Sequence, residues 1–230
     1  MSKLYIAALP LDLKRVYFSK YLLDILNLAE LFVGEERKTV FKIFSLLENR
    51  DKKYMLLNEH STVSDKLNIL NNIKSYKISC LFSDTGAPCV ADPGYDLVDL
   101  CYKENITIIS VPGPSSITAG LSVSGFYAES FSFFGYPPRI KNKRRIFFQR
   151  IAKAYETVVF IERPYVMKKL VSELDIIKGK RLSISYNLGL REEKTIRGYI
   201  NDIKKDLEEM PKVPFIIVVE GKGGTARVVK

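Results

Sequence analysis

The chain has 230 residues, 47% of them apolar, enough to bury a core and to exclude an intrinsically disordered protein. No apolar run reaches membrane-spanning length, and three cysteines without CxxC spacing plus a single histidine exclude a disulfide scaffold and argue against a metal site. The formal charge of +10 points either to an anionic partner, nucleic acid first, or merely to a lysine-rich surface.

Residues 4–9 read as a buried strand rather than a signal segment, because Pro10 and Asp12 break the apolar run. Residues 14–32 carry Val16, Leu22, Leu23 and Leu26 at helical spacing and lead into a short strand, ELFVG. ERKTVFKIFSLLE predicts an amphipathic helix with Val40, Phe41, Phe44 and Leu47 on one face. KKYMLLNEH reads as a short strand, 63–74 as a helix with Leu67 and Leu70 inward, and 77–83 as a strong strand. Asp92 is placed to cap a helix starting at Pro93, with Leu97, Val98 and Cys101 following at helical spacing. ITIISV, at 106–111, is another strand. Such alternation predicts an α/β domain with a largely parallel sheet. VPGPSS then interrupts the pattern and marks a joint, giving domains 1–112 and 113–230. Beyond it come FSFFGY, a basic helix at about 140–153, TVVFIE, a helix at about 165–175, RLSISYN, a helix at about 198–209 and PFIIVVEG. The candidate hairpins in this half predict a second α/β domain with a mixed sheet.

Four loops can carry chemistry. SDTGAPCVADPGYDLV joins a strand to a helix but holds Asp84 and Asp92 and no cation, so it repels phosphate and suits a ribose hydroxyl, an ammonium group or another cation. Each aspartate also has a purely capping reading; Asp84 is the ligand-side choice and Asp92 the cap. The small residues of VPGPSSITAGLSVSG allow close approach of either a ligand or another element. In GYPPRIKNKRRIFFQR, Arg139, Lys141, Lys143, Arg144 and Arg145 crowd seven positions beside Tyr136, Phe147 and Phe148. That pattern suits an RNA backbone and a splayed base, or a solvated helix face. GEERKTV and LNEHST place Glu35, Glu36, Arg37, Glu59 and His60 at strand ends, as substrate-site candidates or as exposed polar turns.

SDTGAPCVADPGYDLV, VPGPSSITAGLSVSG, FSFFGYPPRIKNKRR and TVVFIERPY, in that order and spacing, resemble the tetrapyrrole-methylase-like (class III) S-adenosylmethionine-dependent methyltransferases. Within that fold they are similar to the branch methylating a cytidine ribose 2′-hydroxyl in 16S ribosomal RNA. The resemblance implies two α/β domains with S-adenosylmethionine in the cleft between them, a homodimer, and ribosomal RNA or the small ribosomal subunit as partner; the cysteines, read as reduced thiols, suggest a cytoplasmic protein, and the lone histidine without a Cys cluster suggests no metal. It places Ser83, Asp84, Gly86, Pro88, Pro112, Gly113, Ser115, Ser116, Ser130, Asn187, Leu188 and Gly189 on the cofactor side. Glu35, Glu36, Arg37, Glu59 and His60 match its substrate-facing side, and the 139–145 cluster, read from its charge, would hold RNA phosphates. The family's first loop reads like PTPIGNLxD, and ALPLDLKRV departs from it. A tetrapyrrole C-methyltransferase and a non-catalytic RNA-binding module on the same fold are the alternative expectations.

Overall fold

The structure is a computed structural model describing residues 2–14, 17–48 and 52–222. The chain divides into two compact units, Met1–Ser115 and Ser116–Lys230.

The first unit runs β1 (Lys3–Ala7), α1 (Lys20–Leu28), β2 (Leu31–Gly34), α2 (Arg37–Leu46), β3 (Lys53–Leu56), α3 (Val63–Ser75), β4 (Ile78–Phe82), α4 (Tyr95–Lys103) and β5 (Thr107–Val111). Its five strands lie in the order β3-β2-β4-β1-β5, and every pairing is parallel. Parallel neighbours need crossovers, and here helices supply them and cover both faces. Alternation along the strands sorts the core. Tyr5, Phe32, Cys80 and Phe82 pack with Leu22, Ile25 and Leu26 of α1 and Val40, Ile43 and Phe44 of α2. Leu4, Leu31, Val33 and Leu81 pack with Ile69, Leu70 and Ile73 of α3 and Leu97 and Cys101 of α4.

Two predicted inward residues prove exposed. Phe41 gives way to Ile43 and lays its ring edge-on against Phe44 and Tyr54, while Leu67 gives way to Ile69 and Ile73. Val16 lies outside the described residues. A third correction concerns α4. It begins at Tyr95 with Gly94 as N-cap, at φ 127°, so Asp92 does not cap it and Pro93 precedes it. The connection after β4 is therefore longer than expected and holds four residues at positive φ: Gly86, Cys89, Ala91 and Gly94.

The second unit runs α5 (Ser116–Ser124), β6 (Phe131–Phe133), α6 (Lys141–Lys153), β7 (Thr157–Glu162), α7 (Met167–Leu174) with a 3-10 turn at Asp175–Ile177, β8 (Arg181–Tyr186), β9 (Lys194–Tyr199), α8 (Ile200–Glu208) and β10 (Phe215–Val219). The order β6-β7-β10-β8-β9 combines one parallel pair, β6 with β7, and three antiparallel pairs. β10, buried throughout, is the central strand. The small-residue helix α5 contributes to tight packing at Gly120, where a Cβ would meet the Ile216 side chain at 2.7 Å. β9 occupies residues whose lysine, arginine and glycine hide a strand pattern in the sequence, and it takes over the start of the helix predicted from 198.

Candidate active site

Because the first sheet is wholly parallel, the carboxyl ends of its strands share one edge, where open α/β sheets bind ligands. In sheet order the loops along it carry Glu59 and His60 (after β3), Glu35, Glu36 and Arg37 (after β2), residues 83–94 (after β4), residues 8–14 (after β1) and residues 112–115 (after β5). The chain leaves β2 toward β3 and leaves β4 toward β5, so the connections diverge between β2 and β4. At that divergence three carboxylates gather.

Glu35 is half-buried and its carboxyl is pushed up to about 7, first by burial, then by the charges of Asp92 and Asp84, with the Asp84 backbone N–H partly offsetting them by donating to it. Asp92 is also raised, by burial first and by Asp84, while the Ser83 hydroxyl bonds its charged form. Ser83 is buried, its hydroxyl 3.2 Å from the Thr85 carbonyl. Asp84 Oδ1 is buried with no hydrogen-bond partner among the described residues. Asp92 is thus part of the acidic cluster rather than a helix cap. Among the described residues no group of three His, Cys, Asp or Glu is placed to hold a metal ion.

The loops after β4, β1 and β5 form one packed assembly. Gly86, at φ 73°, exchanges two backbone hydrogen bonds with Leu9, at 2.9 and 3.0 Å. A Cβ on Gly113 would lie 2.7 Å from the Ala8 carbonyl oxygen, so only glycine lets these backbones meet without a shift. The divergent first loop, ALPLDL, is therefore the strut between the two glycine-containing loops. Pro88 is buried, whereas Pro112 is exposed.

The other substrate-side candidates face solvent. Glu36 stands at the N-cap position of α2 without a capping bond, and the Arg37 guanidinium lies 5.3 Å from the Phe41 ring centroid. His60 and Glu59 are 3.6 Å apart and exposed, on a tight loop in which Asn58 Oδ1 accepts from the His60 N–H. Neither group is brought into the acidic cluster. Glu35 and Asp92 are, and the sequence signal for Glu35 was its place directly after a strand-terminal glycine.

In the second unit, Ser116 opens α5. Asn187, at φ 53°, Leu188 and Gly189, at φ 76°, turn the chain after β8. Ser130 precedes β6, at the opposite edge of the same sheet, beside Glu156. A strand length, about 20 Å, separates these edges, so Ser130 does not join the turn after β8. Arg139, Lys141, Lys143 and Arg145 are exposed. Arg144 corrects the expected five-residue RNA cluster: it is buried, 2.5 Å from Glu162 and 2.8 Å from Glu173, with its guanidinium over Phe148. Phe147 and Phe148 likewise belong to the core, edge-on to Phe160.

The two-sheet architecture is a methyltransferase fold. Uroporphyrin-III C-methyltransferase from Thermus thermophilus, in complex with S-adenosylhomocysteine, shares it at a TM-score of 0.62 and 12% identity, over 97% of this chain and 99% of that one. The chain belongs to the tetrapyrrole (corrin/porphyrin) methylase family, whose model matches residues 17–204, and it is a methyltransferase. It is 30% identical to ribosomal RNA small subunit methyltransferase I of Leptospira borgpetersenii, over 85% of this chain and 79% of that protein. To the protein of the same name in Thermotoga maritima it is 31% identical, over 87% of this chain and 90% of that one.

Proposed function

We propose that the chain methylates a ribose 2′-hydroxyl of a cytidine in small-subunit ribosomal RNA, using S-adenosylmethionine, in the cytoplasm and as a homodimer. The observation that carries this reading is the similarity to ribosomal RNA small subunit methyltransferases along most of the chain. The strand-end residues fit such a cofactor. An acidic cluster in which one buried carboxylate oxygen has no partner among the described residues suits an amino group or ribose hydroxyls and disfavours a phosphate. Ser83, Asp84, Gly86, Pro88, Pro112, Gly113 and Ser115 are the residues of the first unit assigned to hold it. Bound there, S-adenosylmethionine supplies an electrophilic methyl group.

The rest of the chemistry is this chain's own. A ribose hydroxyl is a weak acid and needs an acceptor for its proton as it attacks. Glu35, with a carboxyl near 7, is half-ionised at neutral pH and suited to that role, which is worth on the order of 10²–10⁴ in rate. The exposed Glu36, Glu59 and His60 lie outside the acidic cluster and serve as polar contacts at the rim. Arg37, exposed at the start of α2 two residues after Glu35, is the group for a neighbouring phosphate. Mass spectrometry of ribosomal RNA from a deletion strain tests the proposal. One cytidine ribose methyl should disappear and return with the intact gene; an unchanged methylation pattern rejects the substrate.

A further inference from the structure

Residues 130–155 hold seven lysines and arginines and no acidic residue. Arg144 is neutralised in the core, and Arg150 lies 5.0 Å from the Phe134 ring centroid, while the cations at 139, 141, 143 and 145 face solvent. They follow directly on the loop after β6. That loop runs beside the end of β7, where the Ile161 N–H donates to the Gly135 carbonyl at 3.1 Å. Tyr136 and Arg163 meet there, guanidinium 4.8 Å from the ring centroid, and Tyr165 lies two residues on. Tyr136 is 40% and Tyr165 81% exposed.

These aromatic rings are accessible to a ligand, and the local backbone is stiff. Pro137 and Pro138 follow Tyr136, and Pro164 precedes Tyr165. The buried Glu162 carboxylate accepts from the Arg163 backbone N–H at 2.9 Å while gripping Arg144, tying the loop to the core. Rigid rings, an arginine laid on one of them and a one-signed field match the way single strands are held, with phosphates on cations and bases on π-faces. Duplex RNA offers the phosphates but not the base faces.

We infer that Tyr136, Arg163 and Tyr165, flanked by the exposed cations of residues 139–145, form a stacking platform for unpaired bases of single-stranded RNA. The inference rests on RNA being the substrate, and its test is independent of methylation. Full-length protein is titrated, without methyl donor, into an oligocytidylate carrying 2-aminopurine, whose fluorescence falls on stacking. Tyr136→Ala and Tyr165→Ala should each weaken binding about tenfold and lose the quench, with Tyr→Phe at either site retaining both. Together, Lys141→Ala, Lys143→Ala and Arg145→Ala should lower the slope of log K against log salt by about two, a slope that the tyrosine variants leave intact. Alanine variants that bind and quench like the parent overturn the platform. So does displacement by duplex RNA or polyglutamate at the potency of the single strand. An unchanged ribosomal RNA pattern in the deletion strain, with tyrosine-dependent binding intact, rejects the proposed acceptor alone. A lost methyl group with tyrosine-independent binding rejects the platform alone.

Discussion

Glu35 is the residue at which burial and charge act together. Its carboxyl titrates about 7, above the ordinary 4.5, chiefly because burial and the neighbouring aspartates oppose ionisation. The native state therefore holds a proton that the unfolded chain releases between those values. The group's contribution to stability is full below the unfolded value and is lost as pH rises through about 7. Glu35→Gln should make the fold more stable at pH 8 than the parent by about 1–2 kcal/mol, after allowing for solvent screening at this half-exposed site, and should change little at pH 4. Urea melts at the two pH values measure this. Activity should move the other way: the parent's kcat/KM rises through an apparent pKa near 7, and Glu35→Gln falls at least 100-fold and loses that limb. A retained limb in the variant removes Glu35 as the proton acceptor. The sequence shows Glu35 beside Glu36 and Arg37 with nothing to rank them. Their order follows from which side chain turns toward Asp84 and Asp92, a fact of packing between strands distant in the sequence.

At the scale of elements, Arg144 ties α6 to β7 through Glu162 and to α7 through Glu173. Removing the guanidinium leaves Glu162, wholly buried, without its main counter-charge. Arg144→Ala should cost about 3–5 kcal/mol in a denaturant melt, and the double variant with Glu162→Gln should recover part of it. Equal stability of Arg144→Ala and the parent would refute the tie. Helical periodicity held the clue to this residue: position 144 lies three and four before Phe147 and Phe148, on their inward face. Composition alone grouped it with its exposed neighbours. Long periodic segments such as α3 and β4 were readable because one pattern dominates them. The start of α4 was not, since Asp-Pro is a strong helix-start signal, and a left-handed Gly94 packed against Cys89 and Leu81 delays the helix to Tyr95. β9 escaped because long-range pairing with β8, and not its own composition, makes it a strand.

For the whole molecule, the candidate site and the fold are in conflict at one atom. Asp84 Oδ1 is buried without a partner among the described residues, at a typical cost of about 1–3 kcal/mol. A fold keeps such a group where a ligand satisfies it, so stability and binding should part company on its removal. Asp84→Ala should melt at or above the parent temperature when free. S-adenosylhomocysteine at 100 times the parent's Kd should stabilise the parent by about 2.7 kcal/mol and the variant far less. The same change removes a charge that raises Glu35, so the apparent pKa near 7 in any residual activity should fall toward the ordinary carboxylate range. Differential scanning calorimetry with and without the ligand, followed by a pH profile, reads all three. A variant that is destabilised when free yet fully stabilised by the ligand would make Asp84 a structural residue and move the cofactor contacts to other strand ends.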